Sequence, residues 1–235
     1  MTQPFRTGNM HPSLVWPDVS VHYKGDHLLF KTTEVLTVFS NALWQGGMAT
    51  ASHFVNWKVP LNYRSEDPAD MMHSQVAAWG YPPDETVGLQ TAAKITHASI
   101  AEDVGDKFRM ICCATAGTRN GARAGRQRET FSAYRCGTIN VFLLLDANMT
   151  PSAMVNGIVT ATEAKTAALQ DLNIREESGE LATGTTTDAV VLAVSQRQEY
   201  GVPHQFAGAA TTIGNAIGRL VYETVYEAVV TQGEA

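Results

Sequence analysis

Cysteine is scarce in this chain: three residues in 235, two of them adjacent at Cys112 and Cys113. Three cysteines cannot build a disulfide framework, so the core must hold the fold, and a reducing cytoplasm is the expected home. Charge is scarce as well. Asp, Glu, Lys and Arg make up 17% of the residues against 44% hydrophobic ones, which excludes a disordered polyelectrolyte and supplies one sizeable core. Positive charge is short in particular. A net charge of −6 and a pI near 5.6 leave no basic footprint, so nucleic acid is not an expected partner. No apolar run is long enough to span a bilayer, so no membrane partner is expected either. The opening MTQPFRTGNMHPSLVWPD lacks the basic-then-apolar order of a secretory leader.

Several catalytic signatures are missing too. The seven histidines (His11, His22, His27, His53, His73, His97, His204) form no HxxxH or HExxH pattern, and Cys112-Cys113 has no second cysteine pair. No metal and no cofactor is therefore expected. His97 sits in an expected strand, where a satisfied polar residue is commoner than a ligand. The GxSxG elbow of serine hydrolases is absent. TAGTRNGARAG lacks the GK[ST] ending of a phosphate loop, so a nucleoside triphosphate substrate is not expected. Cys136 precedes a central strand, where nucleophiles do occur, but a small buried residue is the simpler reading and no His or Asp partner can be assigned. Gly137-Thr138 raises self-processing: some amidohydrolases cleave before a threonine and use its new amine and hydroxyl. On its own the dipeptide is a weak signal.

What is present is a chain of strands and helices that reads as one domain over 1–235, with residues 1–17 as an irregular arm. VSVHYKG and DHLLFKT read as strands around a Lys24-Gly25-Asp26 turn, and EVLTVF as a third. SNALWQGG is a turn, and 49–57 reads as a strand in preference to a short helix. Glu66-Asp67-Pro68 opens a helix through Trp79 that buries Met71, Met72, Val76 and Trp79. VGLQTAAKITHASIAED and KFRMICCATAG read as long strands. GTINVFLLLD and AVVLAVS are apolar on both faces and so central. The final AGAATTIGNAIGRLVYETVYEAVV is a helix whose small residues suit close packing, and a homodimer is the expected assembly. The pattern predicts an α/β (α+β-like) layered sandwich with a mixed, partly antiparallel sheet and packing helices.

The richest segment lies between the two central strands. Thr150-Pro151 predicts a capped helix through Leu172. At 3.6 residues per turn, Met154, Val155, Ile158, Ala161, Ala168, Leu169 and Leu172 share its apolar face, and Thr162 and Lys165 fall inside that face. A lysine there either snorkels to the edge or has a partner or a task. Glu163, two residues from Lys165, points the other way. The following loop ATGTTTD carries Thr183, Gly184, Thr185, Thr186, Thr187 and Asp188, more hydroxyls than a turn needs. TRNGARAGRQRE carries Arg119, Arg123, Arg126 and Arg128, either an anion site or a solvated rim.

SNALWQGG, FVNWKVP, TAAKIT, CATAGTRNGARAG, the TEAK helix, ATGTTTDAVVLAV and FAGAATTIGNAIG together resemble the CbiZ family, the adenosylcobinamide amidohydrolases. The likeness runs from about residue 30 onward; the arginine loop departs from the more neutral, asparagine-containing turn common in that family. The resemblance implies hydrolysis of the amide that joins aminopropanol to the corrin ring, giving adenosylcobyric acid and aminopropanol, in corrinoid salvage for cobalamin biosynthesis. It also implies a small-molecule corrinoid as the partner. A self-processing threonine amidohydrolase and a non-catalytic corrinoid binder are the alternatives. Amide hydrolysis needs a base, an oxyanion stabiliser and a proton donor. Glu163, partly desolvated by Ala164, Ala167 and Ala168, is the expected base and proton donor. Lys165 is the expected oxyanion stabiliser, and Asp188 would position water or hold the lysine. Asn41, Gln45, Thr115, Asn140, Thr162, Thr183, Thr185 and Thr187 are expected to wall the amide-rich substrate. Gly46, Gly47, Gly117 and Gly184 would let a large flat ligand approach the backbone.

Overall fold

The computed structural model describes residues 2–61, 67–127 and 137–234. Its centre is strand β9 (Ile139–Ala147), buried at every position. Strand β11 (Ala189–Val194) runs parallel to it on one side, and β7 (Phe108–Ala116) antiparallel on the other. Parallel neighbours need a crossover, and helix α2 (Pro151–Asp171) supplies it. The Thr150 side chain caps that helix by accepting from Ala153 N–H at 3.1 Å, and Pro151 takes the first helical position.

The sheet is mixed and has nine strands among the described residues. β6 (Ser99–Gly105) forms a hairpin with β7 at one edge. On the other side of β11 comes β3 (His27–Ser40), then β2 (Val19–Tyr23) and β1 (Met10–Pro12). β4 (Gly47–Lys58) runs back along β3, and β5 (Thr86–Thr91) pairs with β4 in parallel. A separate small ribbon joins β8 (Gly121–Ala122) to β10 (Gly184–Thr185).

Alternating side chains give the central strands two cores. Met110, Cys112, Val141, Leu143, Leu145, Leu192 and Val194 pack under α2 and under α3 (Thr212–Thr231). Ile111, Cys113, Phe142, Leu144, Val191 and Ala193 pack with Val21, Leu28, Phe30, Phe54, Val87 and Leu89 from the other end of the sheet. The sheet therefore curls over this second core, and Phe30 and Phe142 stack across it at 4.4 Å between ring centres. Outside the folded-over part, α1 (Pro68–Ala78) buries Met72 and Val76 against Leu29 and Val55. No helix among the described residues is long and apolar enough to cross a membrane.

Several expectations change in detail. The segments 26–32 and 34–39 are one strand, because a bulge between Lys31 and Leu36 lets β3 continue from β2 to β11. Thr32 Oγ1 donates to Glu34 O at 2.6 Å inside that bulge. The expected long strand after Thr86 is broken: Thr91 Oγ1 accepts from Ala93 N–H at 3.0 Å, and a 3₁₀ turn at Ile95–His97 follows before β6. The final helix starts at Thr212. The preceding small residues instead form a loop pressed onto its first turn, where only a glycine fits at 214 because a Cβ would strike Gly208 O and Ala207 O. On α1, Met71 and Trp79 are only half-buried; Glu66 lies outside the described residues, and Asp67 is the cap.

The first residues are not loose. Thr2 bridges to Ile100, β1 pairs with β2, and Trp16 is fully buried. Glu102 stitches this arm down, accepting from His11 Nε2 (2.7 Å), Ser13 Oγ (3.1 Å), Leu14 N–H (2.8 Å) and Val15 N–H (3.0 Å). Burial alone would raise the pKa of Glu102; these donors outweigh it and hold the carboxyl below its usual range.

Candidate active site

The polar cluster forms at the amino ends of β9 and β11. Asp188 stands one residue before β11, opposite the start of β9, and its carboxylate is fully used. Oδ1 accepts from Ile139 N–H at 3.0 Å and from the Thr185 hydroxyl. Oδ2 accepts from Thr185 N–H at 2.9 Å and from Lys165 Nζ. Four donors fill the four lone-pair sites of a carboxylate.

Lys165 reaches this point because α2 runs back over the sheet, so its fourth turn lies above the strand beginnings. The lysine is 6% exposed, which resolves the sequence alternatives in favour of a partner over snorkelling. Gly184 makes the approach possible. A Cβ there would sit 2.5 Å from Asp188 Oδ2 and 2.8 Å from Lys165 Nζ. The glycine admits the protein's own ion pair, where an approach to ligand was expected.

Around the pair the threonines divide the work. Thr183 stitches loops: its N–H donates to Ala122 O at 2.8 Å, and its hydroxyl accepts from Ala124 N–H at 2.9 Å. Thr166 on α2 donates to Thr183 O at 2.8 Å, a contact that helix periodicity alone does not reveal. Thr186 and Thr187 are exposed at the rim. Thr187 Oγ1 donates to Gly137 O at 3.0 Å, and Asn120 Nδ2 donates to the same carbonyl at 2.6 Å and to Thr186 Oγ1 at 2.7 Å. Thr138 Oγ1 lies 2.8 Å from Thr187 O and 3.2 Å from Asn140 Oδ1. Behind them a buried amide chain links Asn140 Nδ2 to Asn56 Oδ1 (2.8 Å) and to Gln90 O (3.0 Å), and Asn56 Nδ2 to Thr115 Oγ1 (2.9 Å). Gly117 N–H donates to Thr138 O at 2.9 Å.

Other expected residues sit at the margin or outside. Asn41 clamps β11, donating to Asp188 O and accepting from Val190 N–H, both at 2.8 Å. Gln45 (φ 55°), Gly46 and Gly47 (φ 85°) form the tight end of the β3–β4 hairpin. Gly46 is required there because a Cβ would strike Ala42 O. Thr162 is exposed and donates back to Ile158 O at 2.9 Å, and Val155 is 50% exposed. Glu163 is exposed and has no hydrogen bond or ion pair among the described residues, so the structure leaves it outside the cluster. Arg123 and Arg126 pair with Glu180, and Arg126 also with Glu176, so the basic loop and the acidic 175–180 stretch largely neutralise each other. Cys136 and Arg128 lie outside the described residues.

The family described as adenosylcobinamide amidohydrolase, CbiZ, matches residues 16–235. The chain belongs to the CbiZ family. An adenosylcobinamide amidohydrolase of Methanosarcina mazei is 28% identical over 195 residues, 80% of this chain and 88% of that protein. An uncharacterized protein of Methanocaldococcus jannaschii is 33% identical over 172 residues, 65% of this chain and 66% of that protein. Among solved structures, the PH0078 protein of Pyrococcus horikoshii overlays with a TM-score of 0.45 at 8% identity, covering 88% of this chain and 76% of that one. The CbiZ match includes every residue of the threonine cluster and both central strands, so the cluster belongs to the domain of a family of amide-bond hydrolases.

Proposed function

We propose that this CbiZ protein hydrolyses the amide joining aminopropanol to the corrin ring of adenosylcobinamide, releasing adenosylcobyric acid and aminopropanol, as a step of corrinoid salvage toward cobalamin. The observation that carries this reading is the family match across residues 16–235, which includes the Lys165–Asp188 cluster. The chemistry at the cluster agrees with it. The corrin rim bears many amide side chains, and hydroxyls and amides that both donate and accept suit such a rim. Thr186 and Thr187 offer hydroxyls where the cluster opens to solvent.

Within this reading the buried pair holds the site and does not transfer the proton. Asp188 has no free lone pair, and the charge of Lys165 is spent on Asp188. Their joint effect is to fix Thr185, the Thr186–Thr187 rim and the first N–H of β9. Glu163, on the solvent side of α2, receives no catalytic role. Incubation with adenosylcobinamide and chromatography for adenosylcobyric acid and aminopropanol tests the proposal. A spectral shift on cobinamide binding with no aminopropanol released would replace it with a non-catalytic corrinoid binder.

A further inference from the structure

An amide hydrolase must activate a nucleophile, and the described side chains of the cluster offer no free base. Asp188 is saturated, Lys165 is paired and Glu163 is outside. Among the histidines, His11, His27, His53 and His204 bind Glu102, Asp26 and Tyr81, Ser52, and Lys107 O. His22 binds Ser20, His73 stacks on Trp44, and His97 contacts Thr96. The unexplained feature of the cluster is the Gly137 carbonyl. Asn120 Nδ2 at 2.6 Å and Thr187 Oγ1 at 3.0 Å both donate to it, and Thr185 Oγ1, at 3.5 Å, spends its proton on Asp188. Two fixed donors on one carbonyl oxygen are the geometry of an oxyanion hole. Gly137 is held as glycine because a Cβ would collide with the Asn120 side chain. The next residue, Thr138, is 4% exposed, and its hydroxyl donates to Thr187 O at 2.8 Å, a bond it must give up to attack.

We propose that this chain cleaves its own Gly137–Thr138 peptide bond and that the freed Thr138 is the nucleophile for its amide substrate; the second half rests on the amidohydrolase function proposed above. The Thr138 hydroxyl adds to the Gly137 carbonyl carbon while Asn120 and Thr187 hold the developing oxyanion. The C–N bond then breaks, the hydroxyl proton passes to the departing Thr138 nitrogen, and an ester joins Gly137 to Thr138 Oγ. Water hydrolyses that ester to a Gly137 carboxylate and a free Thr138 hydroxyl, so the only co-reactant is water. An α-amine titrates near about 8, which makes it a competent base beside its own hydroxyl at neutral pH. The hole emptied by Gly137 is then available to the carbonyl of a substrate amide. Thr138 attacks that carbonyl, the amine leaves with the proton, and water resolves the ester. The two pieces remain one fold, because β9 and β11 of the second piece are flanked by β7 and β3 of the first.

Mass spectrometry of the purified full chain under denaturing conditions tests the cut. Two species, 1–137 and 138–235, summing to the intact chain plus one water, are expected; T138S gives the same pair and T138A a single chain. Mild periodate, which oxidises an N-terminal threonine to an aldehyde, is expected to modify 138–235 and abolish turnover. T138A is expected to lose about a thousandfold or more of the hydrolysis rate. An uncut wild-type chain, or a cut that persists in T138A, overturns the proposal. Uncut protein that still releases aminopropanol from adenosylcobinamide sinks the cleavage and leaves the function standing. Cut protein that releases none sinks the function and leaves the cleavage.

Discussion

The Lys165–Asp188 pair makes an asymmetric prediction. Both side chains are nearly buried, with 8% and 11% exposure, so solvent screening is weak. Their dependence on each other is unequal. Without Lys165, Asp188 keeps three donors: Ile139 N–H, Thr185 N–H and the Thr185 hydroxyl. Without Asp188, Lys165 has no other hydrogen-bond acceptor among the described residues. Breaking a buried pair by removing one partner costs about 3–5 kcal/mol when the survivor is stranded. D188A falls in that range. K165M keeps the aliphatic stem and strands a carboxylate that is still well solvated by protein, so it should lose only about 2 kcal/mol, the scale of one charge-assisted hydrogen bond. At about 2–4 °C per kcal/mol for a domain of this size, D188A should melt roughly 12 °C lower and K165M roughly 6 °C lower. The assay is thermal melting by circular dichroism in a T138A background, which keeps every variant a single covalent chain. The double variant K165M/D188A should lose less than the sum of the two singles. Equal losses from the singles, or a larger one from K165M, would refute the claim that backbone donors hold Asp188.

Three further outcomes follow from the same geometry. G184A places a methyl group against both charged atoms and should cost about 1–3 kcal/mol, as overpacking does, with the loss largely absent in G184A/D188A; melting of both variants checks it. Burial pushes the Cys112 thiol up to about 12 and Cys113 well above its usual value, so neither should react with a thiol reagent at neutral pH until the chain unfolds, and reaction of either in the native protein contradicts the packing. Burial lowers the pKa of His22, His27, His53 and His97, so the unfolded chain binds more protons below about pH 6.5; stability should be level above neutrality and fall as pH drops through that region, and melts from pH 8 to 5 that stay flat would count against it.

The frame of the site was legible because it rests on local rules. Two strands apolar on both faces had to be central, and Thr150-Pro151 had to start a helix between them. A lysine on the apolar side of that helix had either to snorkel to its edge or to find a partner, and Asp188 was an available one. Helix phase also separated Glu163 from Lys165, since two residues are about 200° apart; the catalytic expectation for Glu163 ran against that phase, and the structure follows the phase. Thr162 sits about 60° from Lys165, at the edge where the covering sheet ends, and so reaches solvent. Asn120 carried no periodic signal. It is a loop residue placed against Gly137 by the β8–β10 ribbon, which pairs segments some sixty positions apart. The arginine loop was ambiguous only in isolation: the acidic 175–180 stretch was its complement, but nothing local tied the two together.

The two ends of the parallel pair carry different polar clusters, and the proposed chemistry uses the one at the amino ends. Ligands of open α/β sheets usually gather at the carboxyl ends of the strands. Here Asp146, near the carboxyl end of β9 and 0% exposed, plugs that position. It accepts from Ser195 Oγ at 2.9 Å and Tyr200 Oη at 2.8 Å, and stands 3.5 Å from Arg197, which also binds Asp18 and Glu34. Burial and the adjacent Asp146 push the Tyr200 phenol up to about 12, so it stays protonated as a donor to that carboxylate. Every charge there answers another protein charge. At the amino ends the ion pair is equally buried, but the threonine rim beside it faces water. A hydrolase needs fixed donors beside solvent, and of these two polar clusters the one at the amino ends combines them.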